Sequence, residues 1–81
     1  MPNFHLDLAD NRRQLLDYDG GTQVVYIGRA AANAQTSDAL WQIRKFTYVS
    51  NRVTQIEFAN GTTEFDKIWD NRTTYDYNPD S

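Results

Sequence analysis

Two stretches hold both tryptophans of the chain and most of the large apolar side chains of its second half. They are Leu40–Tyr48, LWQIRKFTY, and Phe65–Tyr77, FDKIWDNRTTYDY. A buried indole removes a large area from water, and 81 residues leave room for one domain with a thin core. The chain has no cysteine, so no disulfide can tie it. A single histidine without cysteine makes a structural zinc site nearly impossible. The fold is therefore expected to be organised around Trp41 and Trp69. Small domains without such ties often gain stability from a partner subunit, which points towards assembly.

Periodicity favours strands. Phe4, Leu6 and Leu8 alternate with His5, Asp7 and Ala9, the spacing of an edge strand or of an arm lying on a neighbouring subunit. Asn11–Asp19 reads equally as strand or loop, and Asp17–Gly21 has turn chemistry. Gln23–Ile27 is rich in β-formers and ends at Gly28. Arg29–Asp38 contains only small and polar residues after its first position and reads as a long loop that contacts other subunits; Thr36, Ser37 and Asp38 could cap one helical turn. In Leu40–Val49, Trp41 and Ile43 share one parity, Phe46 and Tyr48 the other. A bulge near Arg44–Lys45 would switch the apolar face.

Ser50–Arg52 then turns the chain into a return strand, Val53–Ala59. Asn60-Gly61 suits a turn with two positive φ angles, which predicts a short strand over Thr62–Phe65. Phe65, Ile68 and Trp69 at i, i+3, i+4 predict a helical turn or a compact corner, and Thr73, Tyr75 and Tyr77 a final alternating strand. The expected class is all-β: a small antiparallel β-sandwich or barrel with one short helical turn. Residues 1–22 form an arm and first strand region, 23–77 the β domain and 78–81 a tail.

Charge and motifs narrow the function. The net charge is −3 and no basic patch marks a nucleic-acid surface; Arg12-Arg13 and Arg44-Lys45 read as solvated pairs. No apolar run approaches the ~20 residues that span a bilayer, and no signal-peptide pattern opens the chain, so a soluble protein made in a reducing compartment is expected. The sequons at Asn60 and Asn71 then read as turn chemistry. Asp17-x-Asp19-Gly20 is a poor calcium loop, because Gly28 stands where the bidentate glutamate belongs. Asp66 and Asp70 could share a face, but no histidine, nucleophile or phosphate cradle joins them. His5, Ser37 and Ser50 lack partners in sequence. The expectation is a non-enzyme without metal or cofactor. Trp41, Trp69, Ile43, Phe65 and Tyr26 are assigned to the core. Phe4, Leu6, Leu8, Tyr75 and Tyr77 are assigned to partner contact, with a glycan platform on the tyrosines as an alternative.

Three segments carry a resemblance. Tyr26-Ile27-Gly28, Ser37–Lys45 (SDALWQIRK) and Phe65–Arg72 (FDKIWDNR) resemble a group of small structural proteins of tailed bacteriophages. The family pattern is Tyr-x-Gly, a loop of small residues, Ser-x-x-x-Trp-x-Ile-x-Lys, and Phe-x-x-x-Trp-Asp-x-Arg, and the likeness covers residues 24–77. The loop 29–36 is alanine-rich where Pro and Gly are usual, and Phe46 replaces a smaller aliphatic. The resemblance implies a virion component made in the host cytoplasm: a tail, adaptor or fibre-attachment part, or a capsid accessory (decoration) protein. Its partners would be copies of itself and other virion proteins, and it carries over no catalytic residue.

Overall fold

The computed structural model describes residues 12–77. It is a mostly β structure, five antiparallel strands in one open sheet. The strands are β1 (Arg12–Asp17), β2 (Tyr26–Ala31), β3 (Ala39–Val49), β4 (Arg52–Phe58) and β5 (Lys67–Ile68). β1 to β4 follow one another as a meander, and β5 pairs with the start of β3. Two 3-10 turns, Ala59–Gly61 and Trp69–Thr74, complete the chain. All-β class and antiparallel pairing are as the sequence implied. The arm residues Phe4, His5, Leu6 and Leu8 lie outside the described residues.

Alternation sets the core. Tyr26, Gly28 and Ala30 of β2 face the same way as Trp41 and Ile43 of β3, and all five are buried. Trp69 and Tyr77 cover them from the last segment, and Ala34 and Ala59 close the flanks. The indoles of Trp41 and Trp69 are tilted at 38° with centroids 5.8 Å apart, within the range of favourable aromatic pairs. Gly28 is required here: a Cβ would lie 2.4 Å from Trp69 Cε3 and 3.1 Å from Trp41 Cε3.

Several local expectations are corrected. β1 is a strand, fully paired with β2 from Arg12↔Ala31 to Asp17↔Tyr26. β2 continues through Ala31, because Ala30 has no side chain large enough to disturb the indoles. The loop after it is pinned over the core: Trp41 Nε1 donates to the Gln35 carbonyl at 2.9 Å, and the Asp70 amide to the Thr36 carbonyl at 3.1 Å. The bulge falls between Thr47 and Tyr48, opposite Thr54, not at Arg44–Lys45. The apolar side chains change face along β3 without it, since the sheet is apolar on both faces.

Turn chemistry behaves as its residues demand. Ser50 and Asn51, at the β3–β4 tip, both have positive φ, 52° and 68°, the geometry of a tight hairpin. Asn60 and Gly61 also have positive φ, 55° and 72°. They do not lead into a strand at Thr62–Phe65. Asn60 instead binds Asp76 twice, its amide donating to the Asp76 carbonyl and its Oδ1 accepting from the Asp76 amide. The last segment is thereby drawn across the sheet as a 3-10 turn, so Thr73, Tyr75 and Tyr77 do not form an alternating strand. Nor is there a helical turn at Phe65–Ile68; β5 and the 3-10 turn from Trp69 take its place.

Candidate functional site

The sheet has two faces with different fates. On the covered face the 3-10 turn Trp69–Thr74 is anchored by Arg72. Its Nε donates to Asp17 Oδ2 at 2.6 Å, Nη1 donates to the Trp69 carbonyl at 3.2 Å, and the guanidinium lies 4.7 Å from the Trp69 ring. That bond and the Asp19 amide hold the Asp17 carboxyl below its ordinary range. Tyr77 stacks 5.5 Å from Tyr26 and donates to the Arg72 carbonyl at 2.7 Å. Burial raises the pKa of both tyrosines. Lys45 Nζ lies 5.9 Å from both ring centroids.

The other face is open over most of its width. Register places Leu16, Ile27, Arg44 and Phe58 in one row across four strands. Gln14, Arg29 and Gln42 form the next row, and Phe46 pairs with Ile56 on the far side. Leu16 is 51% and Ile56 50% exposed; Ile27, Phe46 and Phe58 are half-buried. Beyond the bulge Tyr48 pairs with Val53, and Tyr48 donates to the Val24 carbonyl at 2.7 Å. β4 is the outer strand on this side, an unpaired edge among the described residues.

Arg12, Arg29 and Arg44 stand on the open face, and among the described residues none of its strand positions carries a carboxylate. Arg44 lies 5.2 Å over the Phe58 ring and donates from Nη2 to Gln42 Oε1 at 3.3 Å. Its Nε is buried and meets no acceptor among the described residues. Burial, then the charge of Arg29, lowers its pKa, yet a guanidinium stays protonated in proteins. Among the described residues, one end of the face is covered: Gln42 Nε2 donates to the Thr63 carbonyl at 2.9 Å, and Arg12 lies 4.7 Å over the Phe65 ring.

Of the expected core residues, Trp41, Trp69, Ile43 and Tyr26 are buried together. Phe65 is 38% exposed instead, because β5 turns Lys67 inward and leaves Phe65 under Arg12. Lys67 is buried and paired with Asp66. Of the expected contact residues, Tyr77 is buried and Tyr75 half-buried, its hydroxyl accepting from the Ile68 amide. Asp66 and Asp70 serve local structure: Asp70 Oδ2 accepts from Thr36 Oγ1 at 3.3 Å. No cluster of three potential metal ligands occurs among the described residues, and none of their helices is long and apolar enough to cross a membrane.

The open face was missed in sequence because its residues are spread over four strands. The signal was the change of parity between Ile43 and Phe46, which marks a sheet with apolar side chains on both sides. By contrast, Tyr26, Gly28, Trp41, Ile43, Lys45, Trp69 and Arg72 converge on the covered face. What fold and site define, over the described residues, is a small all-β domain with one face covered and the other largely uncovered. No protein-family model, characterised protein or solved structure matches the chain.

Proposed function

We propose that this chain is a bacteriophage virion structural protein, a tail, adaptor or fibre-attachment component that acts by subunit assembly rather than by catalysis. The observation that carries the reading is the open sheet face. Leu16, Ile56 and Val53 are 51%, 50% and 43% exposed on it, beside half-buried Ile27, Phe46 and Phe58. Contiguous apolar surface of this kind on a small domain marks an interaction site, and burial against a neighbour adds the stability a thin core lacks. The motif likeness supplies the virion context. A capsid accessory role would use the same face. A glycan platform on Tyr75 and Tyr77 has less support, since Tyr77 is buried.

The test is mass spectrometry of purified particles from the phage that encodes the chain. The reading expects this protein in fixed, repeated copy number. Its absence from particles, with the free chain monomeric in the infected cell, overturns it.

A further inference from the structure

Among the described residues the meander has two outer strands, β1 and β4. Their side chains differ in what already engages them. On β1, Arg13 donates to the Ala34 carbonyl and Asp17 accepts from Arg72. On β4, residues 52–56 are all exposed. Arg52 and Glu57 of that strand have no ion pair and no side-chain hydrogen bond among the described residues. Lys45 stands opposite Glu57 in register, but its ammonium lies over the Tyr26 and Tyr77 rings. The rim of an outer strand accepts a further strand through main-chain hydrogen bonds.

The bulge decides which strand fits there. Thr54 is the extra residue, since Thr47 pairs with Gln55 and Tyr48 with Val53. A regular strand falls out of step with β4 halfway along it. A second β4, running antiparallel, carries the same extra residue and stays in step. With Arg52 opposite Glu57 of the second copy, Val53 falls opposite Ile56 and Thr54 opposite Gln55. Within one chain Val53 and Ile56 pair with Tyr48 and Phe46 on the open face, while Arg52 and Glu57 pair with Val49 and Lys45 on the other. Each matched pair therefore meets on one side of the sheet, and symmetry makes every pair twice. Opposite charges and apolar side chains placed so across strands are stabilising. A slip of one residue sets Arg52 against Phe58 or Ile56, whose side chains leave the opposite side. We propose that β4 pairs antiparallel with β4 of a second copy in this register. The two-fold axis stands perpendicular to the sheet, so the two open faces lie on one side and join. The contact is isologous and closes as a dimer. The inference rests on the assembly reading and adds the partner and its edge.

Sedimentation equilibrium of the full chain over a range of concentrations tests the pairing, with exchange of the two charges as its control. The original chain should behave as monomer and dimer in equilibrium. Arg52→Glu sets carboxylates against each other at two places and should raise the dissociation constant at least about tenfold. Arg52→Glu with Glu57→Arg restores opposite charges at both and should return it to within about threefold of the original. Hydrogen exchange of the unaltered chain gives a second reading: β4 amides should slow as concentration rises, and β1 amides should not. Dimers indifferent to Arg52→Glu, or β4 amides unchanged in a sample that associates, overturn the edge pairing and leave subunit assembly standing. A folded double variant that stays dissociated overturns it as well. A chain monomeric at every concentration also overturns the pairing, and the virion reading then stands or falls on copy number in particles.

Discussion

Trp41 and Phe46 stand five residues apart on the same strand, yet they meet opposite circumstances. Trp41 faces inward, wholly buried against Trp69. Phe46 faces outward, half-buried beside Ile56, two residues along the strand from Arg44. Both sides of this sheet are apolar; only one is covered by the chain's own last segment. Four antiparallel strands with one solvated face are expected to alternate apolar and polar. The departure on the open face separates what holds the domain together from what it offers to others.

The comparison breaks most visibly at the covered face. Trp41→Ala should cost about 3–5 kcal/mol. That is comparable to the whole stability of a chain this size, at roughly 0.05–0.15 kcal/mol per residue, so loss of the cooperative thermal transition is expected. Gly28→Ala should cost about 1–3 kcal/mol by overpacking, because the new methyl meets Trp69 ring atoms at 2.4 and 2.6 Å. A denaturant titration checks it, and an unchanged midpoint would mean that Trp69 does not lie on Gly28.

Two smaller effects concern titration on the covered face. The Asp17 carboxyl is held below its ordinary 3.8, first by the Arg72 bond and then by the Asp19 amide. A lowered carboxyl contributes stability above its unfolded pKa and loses it as pH falls through the folded one. Thermal midpoints should therefore drop below about pH 4, and less so in Asp17→Asn. Tyr77 has the opposite sense. Burial raises its pKa, so its contribution is full below the ordinary value near 10 and fades as pH rises beyond it. Tyr77→Phe should reduce that alkaline slope, leaving the part due to Tyr26, while costing about 1 kcal/mol for the lost bond to the Arg72 carbonyl.

The sequence made the covered half legible and hid the open half. Trp41 and Ile43 at one parity, with Trp69 as their partner, pointed to the core. Asn60-Gly61 pointed to backbone with positive φ, and Ser50–Arg52 to a turn. Phe65 and Tyr77 exchanged their expected places because local spacing cannot foresee where a 3-10 turn will lay its rings. Asp76 is what redirects the chain after Asn60, sixteen residues distant in sequence, and no local pattern reports such a bond. The open face is a product of register: Leu16, Ile27, Arg44 and Phe58 become neighbours only once four strands are aligned.

The smallest expected effect on stability belongs to the open face, and it is the most informative. Leu16→Thr with Ile56→Thr places β-branched side chains at two exposed strand positions and should shift stability by no more than about 0.5 kcal/mol each. Sedimentation velocity of the full chain and of this double variant, over a range of concentrations, puts the division of labour between the faces to direct trial. The account predicts that the original chain forms larger species as concentration rises, while the variant stays monomeric with a nearly unchanged melting temperature. An original chain that is monomeric throughout, or a variant that associates as well as the original, would contradict it.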